Sequence, residues 1–523
     1  MLSRVARSTS PSLLARMAPA QRLQVLSNHF STSSSSSSSA PPPSSGAEAP
    51  VNFEATHSLR KITLNRPKAF NALSAEMVEL IQPQLEKYES SSLANVVLFK
   101  GTGKHFCAGG DVVTLVKQLG DEATWARSSE FFQKEYTLNA YLANMKKPVV
   151  SIMHGFTLGG GVGLSMHIPF RIATETTSLG MPETSIGLFP DVGANFFLSR
   201  LDGALGVYLG LTGHTLEGKA AFLSGFASHY VPSERLESLE ARLAELDQTA
   251  DLAQVNSAIE EFVADAEELK AGPEYELVGA RRRAIDLIFG KKSAEEIVEG
   301  LRALEEGTLD MTKIVVEGET TDVSALQRWA KETRETLEFR SPTSIKLALK
   351  AIREGARLDI DEVFLMDQRI ATACCSPSVH SDFKTGVTHT LIEKKKTERA
   401  PWTPATLAEV TDSSITKTFF GSPPPFKNPP LSKLSFHHTQ AKGARPYKMY
   451  PHAGFSLPTE DNIRDVVTGE AKGSGQFAMK EDEIVKKIVK QWKGKVGVEQ
   501  KVREVLKRRC QVGQGETLKW VGY

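Results

Sequence analysis

The sequence contains few cysteines, and their spacing excludes two kinds of covalent or metal support. The four, in a chain of 523 residues, are Cys107, Cys374, Cys375 and Cys510. They are too few and too unevenly spaced for a disulfide framework. None forms a CxxC pair or a Cys/His cluster, so the sequence gives no indication of a structural zinc site.

The sequence also lacks a long apolar run, an internal repeat of fixed period and a marked net charge. No segment approaches the roughly 18 consecutive apolar residues that span a bilayer, so we predict a soluble protein without a membrane span. The formal net charge of +1 indicates no particular class of partner, and 40% hydrophobic with 24% charged residues is ordinary for a globular protein. The length exceeds that of one compact domain.

Acidic residues are missing from the N-terminus, where the first is Glu48. Serine and alanine are frequent there, and four arginines alternate with short apolar patches: Arg4, Arg7, Arg16 and Arg22. This composition is typical of a mitochondrial transit peptide and lacks the continuous apolar core of a secretory signal. A Ser/Pro tract follows at 33–43, so we predict a transit peptide and disordered linker over 1–50, with the mature protein in the mitochondrial matrix. A basic N-terminus without targeting function is the alternative.

Strand and helix patterns alternate from about residue 51. Residues 59–64 alternate as a half-buried strand does, and 95–99 and 148–152 are typical of buried strands. Ser74 is a good cap for a helix pattern that follows it, although Pro83 lies inside that pattern and argues against one unbroken helix. Alternating strands and helices predict an α/β architecture. The stretch from about 235 to 375 is mostly amphipathic helix.

The C-terminal part differs in charge. After a Pro-rich stretch at 400–432, residues 431–523 contain 18 Lys and Arg against 10 Asp and Glu. Two basic amphipathic helices are predicted here, one around 484–492 and one around 498–506. We therefore predict a main domain over 51–427 and a basic helical extension over 428–523. Such an appendage suits an RNA-rich surface, and a solvated charged tail is the alternative.

Two glycine-rich loops carry the first part of the candidate chemistry. The pair Gly109-Gly110 follows a predicted strand, and Gly159-Gly160-Gly161 precedes an apparent helix. Such loops let the backbone approach a ligand and leave amide groups unpaired at a helix start. Two amides from separate loops would form an oxyanion hole for an acyl carbonyl, with each donor worth roughly 3–4 kcal/mol in the transition state. Either loop alone is more simply a tight turn.

A third segment, 181–193, supplies two carboxylates, Glu183 and Asp191, among apolar residues. Burial there would raise their pKa values and suit them to acid–base or nucleophilic chemistry. The triple glycine with Glu183 about twenty residues on also resembles a dinucleotide fingerprint. The glycines do not fit the GxGxxG spacing, so we reject nucleotide binding.

These segments together resemble the crotonase (enoyl-CoA hydratase/isomerase) superfamily, as does NRPKAFNAL at 65–73. The likeness is closer to its 3-hydroxyisobutyryl-CoA hydrolase branch, which acts in valine catabolism. It rests on FFQKEYTLN at 131–139, GGGVGLS at 159–165 and MPETSIGLFPDVG at 181–193. The resemblance covers about 51–427. It implies a crotonase-like α/β spiral of ββα repeats, with C-terminal helices covering the site.

The resemblance also implies roles for individual residues. The amides of Gly110 and Gly160 would bind the thioester oxygen, Glu183 would attack the thioester or activate water, and Asp191 and Glu135 would position substrate and water. The CoA part of the substrate would lie along a further group: Lys68, Ala69, Asn71 and Gly109. No metal or redox cofactor is implied, because CoA arrives as part of the substrate.

Two departures and two alternatives qualify this interpretation. Hydratases of the superfamily use a second glutamate where this chain has Gly163, so hydration of an enoyl-CoA, the first alternative, should be crippled. Thr388 replaces an arginine of many relatives and removes one possible CoA phosphate contact, whereas Ala194 in place of glycine should matter little. The tail around 450–460 resembles hydrolase-like proteins of the mitochondrial small ribosomal subunit. The second alternative is therefore a ribosomal subunit, with or without retained activity, that contacts rRNA and proteins through 431–523.

Overall fold

The computed structural model describes residues 48–119, 124–316, 319–422, 434, 446–473 and 477–522. The predicted transit peptide lies outside the described residues up to position 47, and so does the predicted boundary between 427 and 428. None of the described helices is long and apolar enough to cross a bilayer.

The described strands form two sheets and a separate hairpin. In chain order they are β1 Val51–Thr56, β2 Leu59–Leu64, β3 Val96–Gly101, β4 Val149–Met153, β5 Phe156–Leu158, β6 Phe170–Ala173, β7 Ser178–Gly180, β8 Leu216–Glu217, β9 His229–Tyr230, β10 Cys510–Val512 and β11 Leu518–Trp520. The larger sheet has the order β1-β2-β3-β4-β6-β9, and the smaller has the order β5-β7-β8. The strands predicted at 59–64, 95–99 and 148–152 are confirmed to within two residues.

Most neighbours in the larger sheet are parallel. β1 and β2 form an antiparallel hairpin, whereas β2, β3, β4, β6 and β9 pair in parallel, with Leu59 opposite Val96 at one end. Parallel neighbours need crossover connections, which the helices between them supply. This arrangement confirms the α/β architecture. Because β3 and β4 are parallel, the loops that follow them leave the same edge of the sheet, and these loops lead into the glycine segments.

The helices before residue 230 pack around these sheets. They are α1 Ala75–Ser90, α2 Val112–Gln118, α3 Trp125–Asn144, α4 Gly160–Met166, α5 Ala194–Leu198, α6 Leu205–Thr212 and α7 Lys219–Leu223. Ser74 caps α1 as predicted and accepts a hydrogen bond from the Met77 amide. Pro83 does not end α1. Its missing N–H leaves only the carbonyl of exposed Glu79 without its helical partner, and water can replace that bond.

The stretch from 235 to 375 is mostly helical, as predicted. It contains α8 Leu236–Ala244, α9 Leu252–Glu260, α10 Ala266–Lys270, α11 Gly279–Phe289, α12 Ala294–Glu305, α13 Val323–Phe339, α14 Pro342–Gly355 and α15 Ile360–Cys375. α16 Asp382–Val387 continues into a π-helical turn, Thr388–Ile392, and α17 Asp412–Ile415 follows. α15 lies along α3, which places the C-terminal helices beside the glycine loops.

The basic C-terminal extension is folded against the main domain. It contains α18 Glu460–Thr468, α19 Glu481–Gln491, α20 Val498–Arg509 and the β10–β11 hairpin. The two helices predicted around 484–492 and 498–506 are thus present. Their apolar faces, including Ile488 and Val502, are fully buried in the same core as the helices of the main domain. The described part of this segment is therefore not a solvated tail.

Candidate active site

The two glycine loops touch each other. Gly110 lies just before α2, and Gly160 is the first residue of α4. A Cβ built on Gly160 would lie 3.3 Å from the Gly110 amide nitrogen and would overlap the carboxylate of Glu135. Gly109, next to Gly110, has a φ of 101°, which favours glycine. Only glycine therefore fits at position 160 without displacing neighbours.

The amides of Gly110 and Gly160 are free of partners in the described part of the chain. Neither nitrogen donates a hydrogen bond to another described residue. Both residues line one cavity of about 70 Å³. Gly160 is buried and Gly110 partly buried. An amide without a partner is costly away from water, so these two groups suit an oxygen supplied by a ligand. Their role as an oxyanion hole remains a prediction that this arrangement supports.

Three carboxyl groups line the same cavity. Glu183 begins the short 3-10 helix Glu183–Ile186, Asp191 lies in the turn before α5, and Glu135 projects from α3. Their exposed fractions are 6%, 4% and 2% respectively. The sequence predicted each of them as a site residue, and the fold brings together groups that lie far apart in the chain.

Burial raises the pKa values of all three acids, and a neighbouring charge adds to the shift at two of them. The pKa values of Glu135 and Glu183 are raised well above their usual range, first by burial and then by the charge of Asp191. Burial also raises the pKa of Asp191 to about 6, although a hydrogen bond from Tyr136 opposes the shift. Three such groups cannot all be ionised near neutral pH, so the site holds at least one proton ready for transfer.

Two of the acids keep an unpartnered oxygen. Glu135 Oε1 and Glu183 Oε2 are buried and have no hydrogen-bond partner among the described residues. Buried polar atoms are normally paired, and exceptions concentrate where a water or ligand binds. Both oxygens are therefore available to a substrate or a water.

The rest of the cavity wall is mostly apolar. Its lining includes Phe131, Phe132, Leu188, Val192, Thr390 and Leu391. The last two come from the π-helical turn at the end of α16, so the C-terminal part of the main domain covers the site. A small apolar cavity with few polar groups favours a short acyl chain.

The predicted CoA segment lies beside the loop that contains Gly109 and Gly110. The amide of Ala108 donates to the carbonyl oxygen of Phe70 at 3.0 Å, and the amide of Leu73 donates to the carbonyl oxygen of Gly109 at 2.8 Å. Lys68 and Ala69 lie on the adjacent 3-10 turn, Pro67–Ala69, at the surface. Contact of this segment with CoA remains a prediction.

Asn71 differs from its neighbours in that segment. Its side chain is fully buried and does not line the cavity. The amide group donates to the carbonyls of Thr102 and His105, and the oxygen accepts from the Arg66 amide. Asn71 therefore ties the CoA segment to the loop after β3, a structural contribution that its sequence position did not reveal.

Position 163 has no room for a glutamate. A Cβ on Gly163 would lie 2.7 Å from Cβ of Val192 and 2.9 Å from Oδ1 of Asn139. Gly163 is also absent from the cavity wall. Thr388 and Ala194, the other departures, begin the π-helical turn and α5 respectively. This chain thus has no acid at the position expected for the second glutamate of a hydratase, and Val192 and Asn139 occupy the space that its side chain would need.

Three residues near the site received no role from the sequence. Tyr136 donates a hydrogen bond to Asp191, Asp367 binds the turn after Asp191, and Thr390 lines the cavity. Tyr136 lies directly after Glu135 in the segment FFQKEYTLN, and this adjacency was the only feature of the sequence that indicated a place near the site. Asp367 and Thr390 reach the site only through tertiary packing.

In the described ranges, no three His, Cys, Asp or Glu side chains are grouped to hold a metal ion.

Comparison with known proteins gives the class. A family model described as enoyl-CoA hydratase/isomerase matches residues 59–419. The fold is that of a solved carnitinyl-CoA dehydratase from Mycobacterium thermoresistibile, with a TM-score of 0.60, 29% identity, and coverage of 74% of this chain and 99% of that one. The chain belongs to the enoyl-CoA hydratase/isomerase family, the crotonase superfamily.

Within that family it falls in the 3-hydroxyisobutyryl-CoA hydrolase branch. It is 40% identical over 408 residues to the mitochondrial 3-hydroxyisobutyryl-CoA hydrolase of Danio rerio, which covers 77% of this chain and 95% of that protein. It is also 37% identical over 484 residues to the small ribosomal subunit protein mS47 of Neurospora crassa, covering 90% of this chain and 87% of that protein. A match over 90% of the chain must extend past residue 427, so the ribosomal relative shares part of the extension.

Proposed function

We propose that the protein hydrolyses short 3-hydroxyacyl-CoA thioesters, with 3-hydroxyisobutyryl-CoA of mitochondrial valine catabolism as the substrate. One observation carries the proposal: two unpaired glycine amides and three buried carboxyl groups share a small apolar cavity. The match to a mitochondrial hydrolase over nearly its whole length supports it.

In the proposed reaction the amides of Gly110 and Gly160 bind the carbonyl oxygen as it gains negative charge. The Glu183 carboxylate then follows one of two routes. It adds to the carbonyl carbon, so that CoA thiol leaves and water later hydrolyses the acyl-glutamate anhydride. Otherwise it takes a proton from a water that attacks the same carbon. Each route consumes one water and yields the free acid and CoA, and a raised pKa suits Glu183 to the second.

The remaining residues of the site recognise the substrate in this proposal. The unpartnered oxygen of Glu135 lies beside Gly160 and would accept a hydrogen bond from the 3-hydroxyl group. Asp191 positions the water. The CoA part extends past Gly109 along the segment containing Lys68, Ala69 and Asn71. Water and the thioester are the only reactants, so the proposed reaction needs no metal or redox cofactor.

Release of CoA thiol tests the proposal. Purified residues 51–523 should cleave 3-hydroxyisobutyryl-CoA faster than longer or unsubstituted acyl-CoA esters. Glu183→Gln should stop release, whereas the matched control Glu332→Gln, at an exposed position on α13, should not. Normal turnover by Glu183→Gln would remove that residue from the mechanism. Hydration of crotonyl-CoA without thioester cleavage would instead identify a hydratase.

A second candidate function is a component of the mitochondrial small ribosomal subunit. The observation that favours it is the similarity to mS47, which continues into the extension. On the outer side of α19, the exposed residues Lys486 and Lys490 lie opposite the buried Ile484 and Ile488, and the exposed Lys493 follows the end of the helix. Such a face could contact rRNA phosphates.

Sedimentation of a mitochondrial lysate tests this second function. Co-migration with small subunits should weaken when the three lysines are replaced by glutamine, since that change leaves the buried face intact. Absence of the protein from every ribosomal fraction would reject the function. Enzymatic activity and residence on the ribosome are compatible. Both functions require import into mitochondria through the N-terminal segment. An import assay on residues 1–50 fused to a reporter would measure that import.

A further inference from the structure

The turn that carries Asp191 adopts an unfavourable backbone conformation. Val192, the next residue, has a φ of 54°, and Gly193 has a φ of 78°. A left-handed backbone is strained for a β-branched residue and persists only when its surroundings fix it. The contacts that fix this turn therefore decide where the Asp191 carboxylate lies.

Two buried side chains hold the backbone of the turn. Asp367, in α15, accepts a hydrogen bond from the Gly193 amide at 2.8 Å through Oδ2 and another from Asn195 Nδ2 at 2.7 Å through Oδ1. On the other side, His167 Nε2 lies 2.8 Å from the Val192 carbonyl oxygen. Burial lowers the pKa of His167 to about 4, so at neutral pH a neutral ring donates to that carbonyl.

A third buried side chain holds the carboxylate itself. The Tyr136 hydroxyl donates to Oδ2 of Asp191 at 2.6 Å, and the whole tyrosine is inaccessible to solvent. Burial and the nearby charges of Asp191 and Asp367 raise the pKa of the phenol, so it stays a donor over the working pH range. One oxygen of Asp191 is thus fixed, which sets the direction of the other.

We propose that Tyr136 is a positioning residue for Asp191, and that Asp367 supports it by holding the turn from behind. The kinetic consequence rests on the proposed hydrolase function. The structural part concerns only Asp191 and holds whether or not the site is active.

Other titratable groups also face Asp191 from the elements packed around it. They are Glu135 and Tyr136 from α3, Glu183 from the 3-10 helix, and Asp367, Cys374 and Cys375 from α15. Every one of them has a raised pKa, and no cation is among them. Among the described residues, the Tyr136 hydroxyl is the side-chain donor that favours the ionised form of Asp191.

Infrared titration of the Asp191 carboxyl group tests the proposal without relying on activity. The difference between wild type and Asp191→Asn isolates its protonated carbonyl band, whose midpoint should lie near pH 6. In Tyr136→Phe the midpoint should rise by about one to two pH units, the shift expected when a carboxylate loses one hydrogen bond. Tyr141→Phe, a matched change farther along α3, should leave it unchanged.

Kinetics then separate positioning from a merely structural role. The acidic limb of kcat against pH should move upward with the infrared midpoint in Tyr136→Phe, while KM changes little. Asp367→Asn, which keeps Tyr136, should lower kcat about tenfold through a looser turn. An unmoved midpoint in Tyr136→Phe would overturn the proposal. If the midpoint moves in Tyr136→Phe but the wild-type protein releases no CoA, the positioning role of Tyr136 is upheld and the proposed function is contradicted.

Discussion

Lys501 of the extension forms an ion pair of 2.5 Å with Asp202 of the main domain, and both side chains are more than nine-tenths buried. Asp202 also accepts a hydrogen bond from the Glu460 amide at 2.9 Å. The neighbouring Arg508 is buried against Glu460 and Asp286. Some of the basic residues whose number suggested an RNA-facing appendage therefore form ion pairs that hold the extension against the main domain.

We expect Lys501→Met to destabilise the whole protein. Removing one partner of a buried pair leaves an uncompensated charge, which costs about 3–5 kcal/mol of unfolding free energy. Urea denaturation measures the loss. The control Lys490→Met, at an exposed position, should stay within about 0.5 kcal/mol of wild type.

The double variant Lys501→Met/Asp202→Asn should recover part of that stability, because no buried charge is left unpaired. Equal stability of Lys501→Met and wild type would mean that the extension is not energetically coupled to the main domain.

The two glycines of the predicted oxyanion hole, Gly110 and Gly160, should respond differently to alanine. In Gly160→Ala the new methyl group would overlap the Glu135 carboxylate, whereas in Gly110→Ala it would lie 3.6 Å from the Phe131 ring, an ordinary contact. We expect thioester cleavage to fall on the order of 100-fold in Gly160→Ala, the size of losing one oxyanion donor, and less than about tenfold in Gly110→Ala. Steady-state kcat/KM measures both, and a smaller effect at 160 than at 110 would contradict this geometry.

Much of the fold and site follows from local sequence signals. The strand at 59–64 is predicted by its alternation and the start of α1 by Ser74. Four cavity residues are predicted by the glycine loops and the acid-bearing turn, namely Gly110, Gly160, Glu183 and Asp191, whereas Glu135 was indicated only by the family resemblance. What the sequence could not show are contacts between distant segments. The Tyr136–Asp191 hydrogen bond and the role of Asp367 depend on how α3 and α15 pack, and no local pattern encodes that packing.

The amino-acid composition of the extension likewise did not show how its basic residues are paired. Counting charges over 431–523 shows an excess of basic residues but not where their partners are. Lys495 pairs with Glu260 and Lys501 with Asp202, both acids of the main domain and far away in the sequence. A segment that looks like a charged surface in isolation is thus partly an internal interface.

Gly163→Glu should not convert the site to a hydratase. The new Cβ would lie 2.7 Å from the Val192 Cβ, on the strained turn beside Asp191. Overpacking of this kind typically costs about 1–3 kcal/mol and would displace Asp191. We expect a lower melting temperature, loss of thioester cleavage and no hydration of crotonyl-CoA, measured by absorbance of the enoyl thioester. Appearance of hydration would show that the turn can move aside.

Asp191→Asn should stabilise the fold at neutral pH while it removes activity. Burial raises the pKa of Asp191 from 3.8 to about 6, so between these values the folded state binds more protons than the unfolded state. The unfolding free energy of the wild type therefore falls as pH rises from about 4 to 6 and is then level, a loss of at most about 3 kcal/mol for two pH units. Asparagine avoids that loss and can still accept the Tyr136 hydrogen bond.

The expected gain of Asp191→Asn is about 1–3 kcal/mol at pH 7.5, and it should vanish at about pH 3, where the aspartate is protonated in both the folded and the unfolded chain. Chemical denaturation at the two pH values measures it, with Glu332→Gln as the exposed-carboxyl control. A variant that is less stable than wild type at pH 7.5 would show that the Asp191 charge is compensated in the fold. The three buried acids would then not indicate a cavity whose unpaired charge a ligand relieves.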